Sequence, residues 1–169
     1  MKVRTILPIL IIFLSMSLHH AKAEDLGKDK IGTVKTTIYF GTDGSLNDDT
    51  LKHAKEISAA ELKRLQAISK IRFKQYRKLG HDTRSVLRSY ENWASPLKPS
   101  EEIMLSFESR GRTDSEGLRL DLELWQHKRK VMKSDPILYK QRPLLILGPK
   151  WRSGRLIIAV ELTELSSKP

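Results

Sequence analysis

Few side chains in this sequence have the types and spacing to do chemistry. His81-Asp82 sets an imidazole beside a carboxylate, with the hydroxyls of Ser85 and Ser89 close behind, which are the parts of a nucleophile, a base and an orienting acid. Neither serine has the Gly-x-Ser-x-Gly elbow that lifts a nucleophile onto a strained turn, so a small hydrolase using His81/Asp82 or His127 is the secondary reading. Glu101-Glu102, Asp121 and Glu123 supply carboxylates for acid–base glycoside chemistry. Asp121 and Glu123 fall at alternate positions of a strand pattern, which an exposed face explains without catalysis. No catalytic residue is assigned.

Metal and cofactor chemistry is narrower still. Asp43, Ser45, Asn47 and Asp49 place oxygen ligands at alternate loop positions, but an EF-hand-like loop needs Gly where Asp48 stands and Glu where Ala54 stands. A solvated turn is the expectation. His53, His81 and His127 each lie among basic residues with no partner at ligand spacing, and the absence of cysteine excludes disulfides, thiolate zinc sites, iron–sulfur clusters and a cysteine nucleophile. Gly111, Gly117, Gly148 and Gly154 form no phosphate loop. No metal and no cofactor are expected.

Charge is the more prominent surface feature. The 169 residues carry 31 Lys and Arg against 20 Asp and Glu, a net charge of +11. Three groups hold much of the excess. Arg72, Lys74 and Arg77 interleave with Phe73 and Tyr76, Lys128 and Arg129 are adjacent, and Lys150 and Arg152 flank Trp151. If brought together they would create a positive field for an anionic polymer or an acidic protein, with aromatic planes for stacking. The plainer explanation is that they solvate sheet faces and protect strand edges. Trp93, Trp125 and Trp151 could form a binding platform, although two of the three are expected in the core or at its rim.

The elements that must position these groups read mainly as strands. Val34, Thr36, Ile38 and Phe40 share one face of a strand closed by Gly41 to Gly44. Ser58-Ala59-Ala60-Glu61 is a capping box opening a helix over 58–69. A strand follows over 71–78, closed by Gly80; the rival reading continues the helix to Leu79 with Gly80 as its cap. Further strands are expected over 84–93, 103–107, 118–124, 130–133, 143–147 and 155–162, with Gly148-Pro149 and Ser153-Gly154 as turns. Leu118, Leu120, Leu122 and Leu124 alternate with Arg119, Asp121, Glu123 and Trp125, the clearest period in the chain. Residues 143–147 are apolar on both faces.

The expected fold is therefore mainly β (α+β), an antiparallel β-sandwich of about seven to eight short strands with one N-terminal helix covering an edge or an open end. Lys2 and Arg4, the apolar run from Ile6 to Leu18 and Ala21-Lys22-Ala23 read as a cleaved signal peptide over 1–23. Loss of Lys2, Arg4 and Lys22 lowers the net charge only to +8. A flexible leader over 24–32, one domain over 33–165 and a tail over 166–169 complete the division. Export without cysteine points to a periplasmic or secreted bacterial protein. The expected function is non-catalytic binding or scaffolding of a protein or anionic envelope polymer through strand edges and the basic groups, with an anionic polysaccharide-binding module as the other alternative. An exported protein seldom meets nucleic acid, which is not an expected partner, and no apolar run after residue 23 is long enough to span a membrane.

Overall fold

The structure, a computed structural model, describes residues 25–46 and 51–166. The expected signal peptide, the loop positions Asn47 to Asp49 and the last three residues of the tail lie outside the described residues. The strands are β1 (Lys30–Thr42), β2 (Gln75–Leu87), β3 (Asn92–Ala94), β4 (Ile103–Arg112), β5 (Leu118–Gln126), β6 (Arg129–Ser134), β7 (Ile137–Leu138), β8 (Leu144–Trp151) and β9 (Gly154–Leu165). A single α-helix among the described residues, α1 (Ala59–Gln66), lies between β1 and β2.

Two antiparallel sheets result. The first has the order β2-β1-β9-β8 and the second β3-β4-β5-β6, with β7 also on β5. They face each other through the residues that alternate inward: Val34, Ile38 and Phe40 of β1, Leu156, Ile158, Val160 and Leu162 of β9, and Leu118, Leu120, Leu122 and Leu124 of β5 are all buried in one cluster. Each such side chain contributes about 1.5–3 kcal/mol on leaving water, so this layer carries the fold. The expected sandwich is thus present. β2 and β3 adjoin at one side of it, and the edges β8 and β6 lie at the other.

The helix does not cover an edge or an open end. It packs on the outer face of the first sheet, where Tyr39, Ile157 and Ala159, the outward neighbours of the buried inner residues, meet Leu65, Ile71 and Tyr76 in a second core. Leu145 and Leu147 of β8 join them, which is why residues 143–147 are apolar on both faces. Eight residues are too few for an independent helix, so docking must hold it. The docking point is Glu61. Its carboxylate accepts the Ser58 amide (2.8 Å), completing the capping box, and also the Tyr39 hydroxyl (2.8 Å) and the Lys78 ammonium (3.1 Å) from the sheet below.

Several boundaries differ from the expectation. Residues 25–32, expected as a leader, hold a 3₁₀ turn at Leu26–Lys28 and the first residues of β1, with Ile31 buried. The segment after the helix is a 3₁₀ turn at Ser69–Ile71, and neither a strand from 71 nor a continued helix. Gly80 does not end β2 but lies within it, beside a bulge that shifts the register between Ile38↔Gly80 and Tyr39↔Lys78. A Cβ there would lie 2.2 Å from the Pro96 carbonyl oxygen, so glycine serves close approach of the following loop. Gly148-Pro149 is likewise a bulge inside β8 and no turn. The stretch 84–93 splits between the end of β2 and the short β3.

Candidate functional site

Two of the three basic groups are brought together. His127 and Lys128 form the turn between β5 and β6, both at positive φ (47° and 61°), and the His127 amide donates to the Glu102 carbonyl. The Glu102 carboxylate lies 3.4 Å from His127 Nε2 and accepts Trp151 Nε1–H at 3.0 Å. Trp151 is buried, its ring 5.7 Å from Phe40 in an edge-to-face contact, and the Arg152 guanidinium lies 4.3 Å over its outer side. Lys128, Arg129, Lys150 and Arg152 therefore gather around one end of the sandwich, all exposed. Beside them His53, Lys98, Ser100 and Glu102 line a cleft of about 250 Å³.

The first basic group behaves differently. Arg77 lies opposite Phe40, and Tyr76 opposite Gly41, at the same end of the first sheet. Phe73 and Tyr76 belong to the second core: their rings meet edge to face at 6.2 Å, and the Tyr76 hydroxyl donates to the Ile71 carbonyl while accepting the Phe73 amide. Neither offers a free plane for stacking. Arg72 caps the helix end by donating to the Gln66 carbonyl, and the Lys74 amide donates to Asp43. That bond gives Asp43 a turn-closing role.

His81 and Asp82 do not form a catalytic pair. Neighbours on a strand point to opposite faces; Asp82 lies opposite Thr36 on the inward side, and His81 opposite Thr37 on the outward side. The Asp82 carboxylate accepts the Thr83 and Ser95 amides, Arg84 Nε and Lys98 Nζ, tying β2 to the loop after β3. Burial works against its charge, but the Ser95 amide and the Lys98 and Arg84 cations prevail and hold its carboxyl below the usual range. Asp82→Ala should thus act on stability, costing about 3 kcal/mol because two backbone amides lose their acceptor and the strand-to-loop tie is lost. A urea midpoint within error of the wild type would refute this role.

Sequence reasoning named Trp93 and Trp125 as candidate platform residues but did not single out the face that joins them, the outer face of the second sheet, which no helix among the described residues covers. Cross-strand partners there form ordered rows: Met104 (β4), Trp125 (β5) and Lys130 (β6); then Trp93 (β3), Ser106, Glu123 and Lys133; then Glu108 and Asp121. Trp93 and Trp125 lean together across β4 with ring centroids 5.7 Å apart at 56°. Trp125 Nε1–H donates to Glu123 at 3.0 Å, which fixes its ring, and Lys130 Nζ lies 5.7 Å from that ring. Below them Asp121 accepts Arg110 (3.0 Å) and Lys133 (2.9 Å), Glu123 accepts Lys130 (2.8 Å), and the Ser106 hydroxyl donates to Glu91. Hydrogen bonds from Lys133 and Arg110 hold the Asp121 carboxyl below its ordinary range, and one from Lys130 does the same for Glu123. The available signal was Trp125 itself, alternating with buried leucines in a strand whose other outward residues are charged.

No family model, curated protein or solved structure matches the chain. The functional reading rests on its own residues.

Proposed function

We propose that this chain is an exported, non-catalytic binding protein, periplasmic or secreted in a bacterium, that engages an acidic partner through the basic end of its sandwich. The observation that carries this reading is the convergence of Lys128, Arg129, Lys150 and Arg152 around the Glu102–Trp151 contact. Residues from two separate turns, β5–β6 and β8–β9, are held there by a buried indole and a shared carboxylate, so the cations keep a fixed spacing. A positive field of this kind steers acidic proteins or polymers and sets register more than it sets affinity. Affinity would come from strand addition. β8 offers the edge: Leu144 to Leu147 is uncharged and bounded by Pro143 and Pro149, whereas β6 carries Arg129, Lys130 and Lys133, the residues that discourage pairing. The signal-peptide pattern over 1–23 supports export.

The test is retention on immobilised heparin, an acidic polymer. The wild type should elute only at raised salt, and Lys128→Glu, Arg129→Glu, Lys150→Glu and Arg152→Glu together should bring it into the flow-through at low salt. These side chains are exposed, so the variant should keep its circular dichroism. Unchanged elution of the folded variant would remove the basic end from the reading.

A further inference from the structure

We propose that the uncovered face of the second sheet binds a neutral oligosaccharide, one pyranose ring seated against Trp93 and Trp125 and the following hydroxyls hydrogen-bonded in the adjoining polar trough. This goes beyond the basic end and shares only Lys128 with it. The two indoles, with Met104 between them, line a slot of about 300 Å³ that Glu101 and Lys128 border. Trp93 is 37% exposed, a large value for an indole packed against another ring. Its partner is preorganised, since the Nε1–H bond to Glu123 and the Lys130 ammonium over the ring hold Trp125 in one orientation before any ligand arrives. An apolar slot walled by two indoles inclined at 56°, one of them partly exposed, suits the C–H face of a sugar ring.

The trough decides between ligand classes. It holds about 250 Å³ between Glu91, Ser106, Glu108, Arg110, Asp121 and Lys133. Its cations are all paired, Arg110 and Lys133 on Asp121 and Lys130 on Glu123, while Glu91 accepts the Ser106 hydroxyl, so an anionic ligand meets no unpaired cation there. An acyl chain or an aromatic side chain would bury these ions beside apolar surface at a cost. Hydroxyl groups, which both donate and accept, can bond to the remaining lone pairs and N–H groups without breaking the pairs. Length agrees as well: the four residue steps from Trp125 to Asp121 span about 13 Å of strand, roughly two to three pyranose rings.

The experiment titrates the full protein with cellotriose, chitotriose, maltotriose and mannotriose, following tryptophan fluorescence and calorimetric heat. At least one trisaccharide should bind and shift the emission. Its affinity should change less than about twofold between low and high salt, because no net charge is exchanged. Trp125→Ala and Trp93→Ala should each weaken it at least about tenfold. Trp93 lies on a three-residue edge strand, so its removal tests the site even if the Trp125 variant folds poorly. Charge reversal of Arg129, Lys150 and Arg152 alone, which keeps the slot residue Lys128, should lower heparin retention and leave this binding intact, so either proposal can fail alone. No binding by any trisaccharide up to about 10 mM, or binding that survives both tryptophan substitutions in folded protein, overturns the inference.

Discussion

Phe40→Ala is expected to cost about 4 kcal/mol of folding stability, within the range for deleting a buried aromatic side chain. Phe40 has no exposed surface and lies in β1, a central strand of the first sheet, facing the second. Its ring meets the edge of Trp151 at 5.7 Å. The space around it has little tolerance: a Cβ on Gly154 would come within 2.6 Å of its ring and 2.3 Å of the Gly41 carbonyl oxygen, so the β8–β9 turn is shaped to the phenyl. Removing the ring leaves a cavity that two hydrogen-bonded sheets cannot readily close. The effect also reaches the basic end, because Trp151 loses the wall that holds its indole toward Glu102. Urea unfolding with an unchanged slope and a lower midpoint is the expected result. Tyr39→Phe is the control one residue away. It keeps the ring in the second core and loses only the bond to Glu61, so it should cost about 1 kcal/mol. Similar losses for the two substitutions would mean that the inner layer does not carry the fold as described.

Those neighbouring residues also explain what the sequence does and does not reveal. The alternation of Val34, Thr36, Ile38 and Phe40, and of the leucines from 118 to 124, maps directly onto one buried face, and period two is a local property that survives in the text. The capping box is equally local, and Ser58 and Glu61 make both of its bonds. A second buried layer on the same sheet is not local. Tyr39, Ile157 and Leu147 face the helix only because strands distant in sequence are neighbours in the sheet, and their apolar character on the other face blurs the period. Phe73 and Tyr76 suffered the same ambiguity: an aromatic among cations looks like a ligand platform until something is known to lie above it.

Glycine and proline misled for a related reason. Gly80 and Gly148 read as chain reversals, yet each marks a bulge where another segment presses on the strand, the Pro96 carbonyl at Gly80 and the Leu156–Ile158 stretch at Gly148. The candidate sites divide in the same way. The cations of the basic end were legible as types and positions, but their convergence depends on Glu102, which contacts Trp151 and His127 from 49 residues before the one and a separate turn from the other. The Trp93–Trp125 pair was legible only in half, because a period places Trp125 outward while only strand order places Trp93 beside it.

Acid should loosen the helix layer before the inner sandwich, and Glu61 supplies the test. Partial burial pushes its carboxyl upward, but the Ser58 amide, the Tyr39 hydroxyl, the Lys78 ammonium and the Ser58 hydroxyl outweigh that and hold it down to about 2, against an ordinary value of 4.5. A carboxyl whose folded pKa is depressed stabilises the folded state fully above its unfolded pKa and loses that contribution as pH falls through the folded one. The window therefore runs from about pH 5 to about pH 2, and the contribution is of the order of 3 kcal/mol, the side chain being only 21% exposed. Other carboxylates, Asp82 among them, also weaken in acid, so the wild type alone does not isolate Glu61. The difference from Glu61→Gln does. Glutamine can still serve the capping box, but it carries no charge to lose. The wild type should be more stable than the variant by about 3 kcal/mol at pH 6, and the gap should close towards zero near pH 2. Loss of the Tyr39–Glu61–Lys78 tie should appear first as faster amide exchange in residues 59–71, while the strands β5 and β9 remain protected. A gap that stays constant across this range would show that the carboxylate is not the charged tie between helix and sheet, and that apolar packing alone seats the helix.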